Sequence, residues 1–241
     1  MKIVLCENYD EISLKAAELI KEQLLRKPDS VLGFATGSTP VGTYKKLIEM
    51  FNNGEIDFKD VTSFNLDEYY PISNINEHSY HYFMNENLFK YINIPKDRIH
   101  ILNGEAEDPT EECDSYERQI AQVGGIDLQI LGIGRNGHIG FNEPAQNLCQ
   151  TTHLTALTDD TINANARFFE SESLVPTYAL TMGISTIFNA KKIILLANGN
   201  SKCNAIKTLF SDDISTNNPA SVLKLHPDVT VICDYAAYDE K

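Results

Sequence analysis

Short apolar runs alternate with longer amphipathic segments along most of the chain. The runs are hydrophobic on both faces, as expected of strands in a parallel sheet that helices cover on both sides. Their sequences are KIVLC, VLGFA, VTSFN, RIHIL, IDLQILGI, KKIILLA and VTVIC, with HLTALT as a shorter candidate. We therefore predict a single α/β domain over residues 1–241, built on a doubly wound, mostly parallel, Rossmann-like sheet.

The segments between these runs repeat apolar residues at the spacing of a helix. The predicted helices cover residues 9–27, 41–52, 77–92, 109–122, 159–169, 178–188 and 201–210. No Ser/Gly tract, Pro-rich run or repeat of fixed period divides the chain. A single domain of this size can bury a large core.

The chain is acidic, with 34 Asp and Glu residues against 20 Lys and Arg residues and a formal charge of −14. Proteins that bind nucleic acid carry a basic patch or stripe. The acidic balance therefore argues against a nucleic-acid partner and equally against an anionic membrane surface. No apolar run approaches the roughly 20 residues of a membrane span, and the N-terminus turns acidic too soon for a signal peptide.

The cysteines are scattered, odd in number and never spaced as Cys-x-x-Cys, so they predict neither a zinc site nor a disulfide framework. They are Cys6, Cys113, Cys149, Cys203 and Cys233. We expect a cytoplasmic protein that holds no metal.

A polar loop follows each of four predicted strands, and sheets of this kind bind ligands beyond the carboxyl ends of their strands. The first loop, ATGSTPVG, leads into a helix and contains Gly37, Ser38 and Thr39. Its backbone N–H groups, its two hydroxyls and the positive end of the helix suit a phosphate. The alternative is that Ser38 or Thr39 only caps the helix that Pro40 starts.

The second loop, SFNLDEYYP, places two adjacent carboxylates, Asp67 and Glu68, just past a strand. Such a carboxylate can act as a general base. The alternative, which is the commoner outcome for a loop taken alone, is a carboxylate that caps the following turn.

The third loop, LGIGRNGHIGFNEP, combines four glycines with His138 and Glu143. Histidine exchanges protons near neutral pH, and Glu143 could hold the ring in one tautomer. The glycines allow the backbone to approach a ligand closely. The alternative is a turn between strands that contains a structural histidine.

The fourth loop, LANGNSKCNA, places Lys202 at the start of a helix, where a cation is unfavourable unless an anion is bound there. The alternative is a lysine turned to solvent. Arg167, in NANARFFE, is a second candidate cation. Together the loops suit acid–base chemistry on a small phosphorylated molecule, and the sequence contains no nucleotide fingerprint.

These loops, in this order, resemble those of the glucosamine-6-phosphate deaminase family in its short form. The resemblance spans nearly the whole chain and rests on ATGSTPVGTY, FNLDEYY, HSYHYFM, GIGRNGHIGFNEP, LTDDTINANARFF, YALTMGI and ASVLKLHP. The combination of LDEY with GHIGFNEP is specific, whereas neither motif is specific alone. The resemblance implies conversion of D-glucosamine 6-phosphate and water to D-fructose 6-phosphate and ammonia, with no cofactor.

The resemblance also assigns roles residue by residue. Asp67 matches the base that moves a proton between C2 and C1, His138 the residue that opens the sugar ring, and Glu143 its carboxylate partner. Asn136 stands where some members carry an aspartate, and we interpret it as an orienting hydrogen-bond partner. The segment from about 151 to 169 matches the lid over the site. The residues that match phosphate contacts are Gly37, Ser38, Thr39, Arg167 and Lys202.

Long members of this family are hexamers with an effector site and extra C-terminal sequence, whereas this chain offers residues for one phosphate site. We therefore expect an unregulated monomer, with a homo-oligomer left open as an alternative. Two alternative functions are a sugar-phosphate isomerase or lactonase on the same fold, and a non-catalytic sugar-phosphate sensor domain. The negative charge disfavours a sensor that regulates transcription, because such a regulator needs a DNA-binding segment.

Overall fold

The computed structural model describes residues 1–165 and 175–238. Within them, seven strands form one sheet in the order β1-β10-β9-β6-β2-β3-β5, and every neighbouring pair is parallel. These strands are β1 (Lys2–Cys6), β2 (Val31–Phe34), β3 (Thr62–Asn65), β5 (Ile99–His100), β6 (Leu128–Gly132), β9 (Ile193–Ala197) and β10 (Val229–Asp234). The predicted parallel α/β fold is confirmed.

A second, antiparallel sheet has three strands in the order β4-β8-β7. Its strands are β4 (Asp67–Tyr70), β7 (His153–Ala156) and β8 (Tyr178–Thr181). Because β4 begins two residues after β3 ends, this small sheet is attached directly to the carboxyl edge of the large one.

Helices cover both faces of the large sheet, as the sequence predicts. They are α1 (Tyr9–Arg26), α2 (Val41–Asn52), α3 (Tyr80–Asn87), α4 (Pro109–Gln122), α5 (Asp159–Asn165), α6 (Ile184–Phe188), α7 (Cys203–Leu209) and α8 (Tyr235–Tyr238). Short 3₁₀ turns span Phe89–Tyr91, Lys96–Arg98, Asn200–Lys202 and Pro219–Leu225. None of the helices within the described ranges is long and apolar enough to cross a membrane.

The core consists of two apolar layers, one on each face of the large sheet. Alternate residues of each strand enter opposite layers: Val31 packs in the layer that contains α4 and α7 residues, and Leu32 packs against α1 and α2. Strand β9 is buried over its whole length, as expected of a central strand. Strand β1 instead forms an edge and exposes Lys2 and Ile3.

Local signals at the helix starts explain the accuracy of several predicted boundaries. The Asn8 side chain accepts a hydrogen bond from the backbone N–H of Glu11 and caps α1. The Asp108 side chain caps α4 in the same way, with Pro109 at the first helical position.

The predicted helix over 178–188 is wrong in its first half, because Tyr178–Thr181 forms strand β8 and only Ile184–Phe188 is helical. Strand β8 is the middle strand of the small sheet, and pairing on both sides overrides a local preference for helix. The predicted helix over 77–92 is also too long, because α3 ends at Asn87 and a 3₁₀ turn follows.

Candidate active site

Four neighbouring strands of the large sheet, β9, β6, β2 and β3, end at the edge where the candidate residues lie. Residues 37–39 follow β2, Asp67 follows β3, residues 134–143 follow β6 and Lys202 follows β9. Because all four strands are parallel, their carboxyl ends lie at the same edge of the sheet. The strand order thus collects the four sequence motifs on one side of the molecule.

The loop after β6 brings Asn136, His138 and Glu143 into direct contact. His138 Nδ1 lies 3.1 Å from Glu143 Oε1. Asn136 donates from Nδ2 to Glu143 Oε2 over 2.6 Å, and its Oδ1 accepts from the backbone N–H of His138 over 3.2 Å. Asn136 therefore bonds both to the Glu143 carboxylate and to the backbone of His138.

Glu143 is held in its ionised form. Burial alone would raise its pKa, but the nearby His138 ring and hydrogen bonds from Thr161 and Asn136 outweigh burial and lower the pKa to about 2. An anion 3.1 Å from Nδ1 favours the imidazole tautomer that carries its proton on Nδ1. The Nε2 atom of neutral His138 is then available to accept a proton.

The glycines of this loop create the space that the His138 ring occupies. A Cβ atom on Gly134 would lie 2.4 Å from Cε1 of the ring, so the imidazole rests directly against the glycine backbone. Gly137 has a φ of +84°, in the region that favours glycine. The turn itself is closed by a hydrogen bond from the backbone N–H of Gly134 to the carbonyl oxygen of His138.

Residues in and next to β8 of the small antiparallel sheet accept hydrogen bonds from the same loop. The backbone N–H of Phe141 donates to Thr181 Oγ1, and the Asn142 side chain donates to the carbonyl oxygen of Met182. Both acceptors lie in or next to β8, the strand that the sequence did not predict. The position of the histidine loop therefore depends on the small sheet.

The two adjacent carboxylates after β3 have different environments. Glu68 accepts hydrogen bonds from the backbone N–H groups of Tyr69, Tyr80 and His81, and so it helps the N-cap residue Ser79 to cap the start of α3. Burial raises its pKa to about 7, and these hydrogen bonds oppose the rise. The capping alternative considered for this pair therefore applies to Glu68.

Asp67 is buried without such support. Only 6% of it is exposed, and its Oδ1 atom has no hydrogen-bond partner within residues 1–165 and 175–238. Burial and the neighbouring Glu68 carboxylate raise its pKa to about 8. A carboxyl group in this state accepts a proton readily near neutral pH, as a general base must.

The loop after β2 contains the residues predicted to bind a phosphate. Gly37 has a φ of +90°, and Thr39 Oγ1 donates to Asn198 Oδ1 over 3.2 Å, which links this loop to the loop after β9. Pro40 is the N-cap of α2, and no side chain caps the helix at that position. The alternative role of Ser38 or Thr39 as the helix cap is therefore wrong.

Tyr9 supports this loop from α1, and the sequence analysis missed it. Its hydroxyl donates to the carbonyl oxygen of Ser38 over 2.9 Å and accepts from the backbone N–H of Gly42 over 2.8 Å. A helix normally leaves its first N–H groups without partners, and here one is satisfied by a different helix. Tyr9 also lines a cavity of about 350 Å³ with Ser38, Val41 and Asn198.

We expect Tyr9→Phe to raise KM for a phosphorylated substrate about 3- to 10-fold and to change kcat by less than about twofold. Each hydrogen bond of this kind contributes about 0.5–1.5 kcal/mol, and 1.4 kcal/mol is tenfold in affinity. Steady-state kinetics would measure the effect, with Tyr235→Phe at an exposed tyrosine of α8 as the matched control. An unchanged KM would show that the Tyr9 hydroxyl does not support the anion site.

Of the two predicted cations, Lys202 and Arg167, the structure describes only Lys202. Lys202 is half-buried and ends the 3₁₀ turn directly before α7, at the edge shared with the other loops. Its loop is held by Asp234, whose carboxylate accepts from the backbone N–H of Gly199. Arg167 lies outside the described residues.

The fold and this site define the class as an α/β enzyme whose candidate acid–base residues lie at the carboxyl edge of a parallel sheet. Comparison with known proteins identifies the family: the chain belongs to the glucosamine-6-phosphate isomerases/6-phosphogluconolactonase family, whose profile matches residues 7–232.

Two relatives are named glucosamine-6-phosphate deaminase. The protein from Thermoanaerobacter pseudethanolicus is 56% identical over 237 residues, which cover 98% of this chain and 94% of that protein. The protein from Clostridioides difficile is 51% identical over 237 residues, which cover 98% of this chain and 95% of that protein.

Solved structures agree with this placement. A structure described as a monomeric glucosamine-6-phosphate deaminase superposes with a TM-score of 0.96 at 46% identity, and the match covers 98% of each chain. A 6-phosphogluconolactonase from Thermotoga maritima has a TM-score of 0.75 at 23% identity, covering 97% of this chain and 98% of that one. At that identity the second similarity concerns the fold alone.

Proposed function

We propose that this enzyme converts D-glucosamine 6-phosphate and water to D-fructose 6-phosphate and ammonia. The observation that carries the proposal is the buried Asp67 carboxyl group, which lacks a partner for Oδ1 in the described part of the chain, on the same sheet edge as an oriented histidine. Relatives more than 50% identical over nearly the whole chain carry the name of this activity.

Ring opening is the first step that we assign. His138 accepts the proton of the C1 hydroxyl at Nε2 and returns a proton to the ring oxygen, so the pyranose opens to the aldehyde. Glu143 lies 3.1 Å from Nδ1 and stabilises the imidazolium that forms between the two transfers. The geometry therefore supports a histidine that both accepts and donates.

Isomerisation and deamination follow at C1 and C2. Asp67 removes the proton from C2 while the carbonyl oxygen at C1 takes up a proton from water, which gives an enolamine, and Asp67 then returns its proton to C1. The resulting imine at C2 is hydrolysed by water, so the nitrogen leaves as ammonia and the ketone of fructose 6-phosphate remains. The balance of atoms needs no oxidant or reductant.

The phosphate group supplies binding and orientation in this proposal. We assign its contacts to Gly37, Ser38, Thr39 and Lys202, with Arg167 as a further cation. The start of α2 adds the positive end of a helix.

We propose further that the chain acts as one catalytic domain, with the segment from about 151 to 169 as its lid; residues 166–169 of that segment lie outside the described residues. A cytoplasmic location is supported by five free cysteines, four of them buried. A monomeric state is supported by the relative described as monomeric at 46% identity.

A coupled assay for ammonia and fructose 6-phosphate tests the proposed reaction. We expect both products in equal amounts from glucosamine 6-phosphate and very little from unphosphorylated glucosamine. An isomerase or lactonase would release no ammonia, and a sensor domain would bind the sugar phosphate without turnover. Either result would overturn the proposal.

The pH dependence of kcat/KM should identify Asp67 as the base. Because the base must be ionised and the pKa of Asp67 in the free enzyme is about 8, kcat/KM should rise with pH up to about 8. The neighbouring Glu68 contributes to that raised pKa, so Glu68→Gln should move the rise to lower pH. Any ionisation of the substrate is the same in both assays. A difference between the two pH profiles is therefore assigned to Asp67. Coincident profiles would remove Asp67 from the base role.

A further inference from the structure

Helix α5 contributes a side chain to the carboxylate that orients His138. Thr161 Oγ1 donates to Glu143 Oε1 over 2.5 Å, and the same oxygen lies 3.1 Å from His138 Nδ1. Thr161 is buried, with 7% of it exposed. A residue 18 positions further along the chain thus donates to the carboxylate oxygen that lies beside the His138 ring.

A second threonine completes the hydrogen bonding of the Thr161 hydroxyl. Thr158 Oγ1 donates to Thr161 Oγ1 over 3.1 Å and accepts from the backbone N–H of Thr161 over 3.3 Å. A hydroxyl group has one proton to donate. Because the ionised Glu143 carboxylate can only accept, the Thr161 proton goes to Glu143, and the Thr161 oxygen accepts from Thr158.

Apolar contacts hold α5 against the histidine loop and against the segment that carries Asp67. Ile162 packs against a small cluster that includes Leu157, Tyr69 and Phe141. Phe141 lies between His138 and Glu143 in the sequence, and Tyr69 is two residues after Asp67. The start of α5 is therefore in contact with the histidine loop and with the segment that carries the proposed base.

We propose that Thr161 is a positioning residue that fixes the Glu143 carboxylate, so that His138 is correctly oriented only while α5 is docked. Without the Thr161 hydroxyl, Asn136 is the one side chain besides His138 in residues 1–165 and 175–238 that still donates a hydrogen bond to the carboxylate, and it does so through the other oxygen. The oxygen that faces His138 could then rotate away. This inference rests on the proposed function, because it assigns ring opening to His138.

Thr161→Val removes the hydroxyl and keeps both the side-chain shape and the β-branch. We expect kcat to fall about 10- to 100-fold, as for other residues that orient an acid–base group, with KM changed less than about twofold. Thr161→Ser retains the donor and should keep at least half of the wild-type kcat. Rescue by serine separates loss of the hydrogen bond from general damage to the helix.

A spectroscopic readout tests the inference without any substrate. In ¹⁵N-histidine-labelled protein, the ring nitrogen shifts of His138 should report the tautomer protonated on Nδ1 in the wild type. The Thr161→Val protein should show a mixture of the two tautomers, and the Thr161→Ser protein should resemble the wild type. Comparison with a His138→Asn sample assigns the signals.

Thr186→Val is the matched control. Thr186 Oγ1 donates to Glu117 Oε1 over 2.6 Å, which is the same type of buried threonine–carboxylate hydrogen bond away from the site. This control should lower the melting temperature while kcat and the His138 signals stay as in the wild type.

Two results would overturn the inference. One is a Thr161→Val protein with wild-type kcat and a wild-type His138 spectrum. The other is an equal loss of kcat in the Thr161→Val and Thr186→Val proteins. If the wild-type enzyme released no ammonia, the proposed function would fail, whereas the His138 spectra would still report whether Thr161 fixes the ring.

Discussion

Replacing Asp67 with asparagine is expected to lower kcat by at least about 10²-fold, the lower end of the contribution of a general base. Asparagine has a similar volume, so the buried site stays filled, but it cannot accept the proton from C2. Steady-state kinetics and a circular dichroism spectrum would show an inactive, folded protein. If more than half of the activity remained, another group would have to be the base.

The same variant should gain stability relative to the wild type as the pH rises. The pKa of Asp67 is about 8 in the folded protein and ordinary, near 4, in the unfolded chain. Folding therefore takes up a proton between these values, and the wild type loses stability through this group as the pH rises towards 8. Asparagine does not titrate.

Unfolding of both proteins in urea at pH 5 and pH 8.5 measures this effect. Each pKa unit corresponds to about 1.4 kcal/mol, so the stability difference should move in favour of Asp67→Asn by roughly 3–4 kcal/mol between the two values. Titrating groups that do not interact with Asp67 are shared and cancel. A difference that does not depend on pH would contradict the raised pKa.

Gly134→Ala is the second substitution with a large expected effect. The added Cβ atom would lie 2.4 Å from the His138 ring, so the imidazole must leave its place beside Glu143. We expect kcat to fall about 10²- to 10⁴-fold, the range for loss of an acid–base group. Kinetics and the His138 ring signals would measure the change.

Gly132→Ala is the control in the same segment, because a Cβ atom there meets nothing within 4 Å. It should leave the His138 ring signals of the free protein in place. If Gly134→Ala retained wild-type kcat and ring signals, the loop would not hold the ring in the described position.

Local sequence signals account for much of the fold. Helices α1 and α4 have side-chain caps and regular apolar spacing, and the central strands are continuous apolar runs, so both kinds of element are visible without any partner. Strand β8 is different. Four residues flanked by Gly183 carry no period that separates strand from helix, and only pairing with β4 and β7 decides the outcome.

The candidate site was also predictable only in part. Residue types and loop positions predict Asp67, His138 and Glu143, because the chemistry needs a carboxylate and an imidazole at strand ends. Nothing local indicates that Glu68, and not Asp67, caps α3, because the three N–H donors include two from residues 12 and 13 positions away.

Contacts between distant segments were not predictable, because local sequence carries no signal for them. Tyr9 reaches the anion loop from a helix 29 residues earlier in the chain, and Thr161 reaches Glu143 from α5. Their roles follow from packing of whole elements, which a local pattern does not encode.

The central claim is that the four loops form one site in which Asp67 faces C2 of the open-chain sugar phosphate. A crystal structure with 2-amino-2-deoxy-D-glucitol 6-phosphate, the open-chain alcohol of the proposed substrate, tests it most directly. We predict the phosphate on residues 37–39 and Lys202, with C2 within about 3.5 Å of the Asp67 carboxylate. A phosphate bound away from this loop, or a C2 atom out of reach of Asp67, would contradict the account.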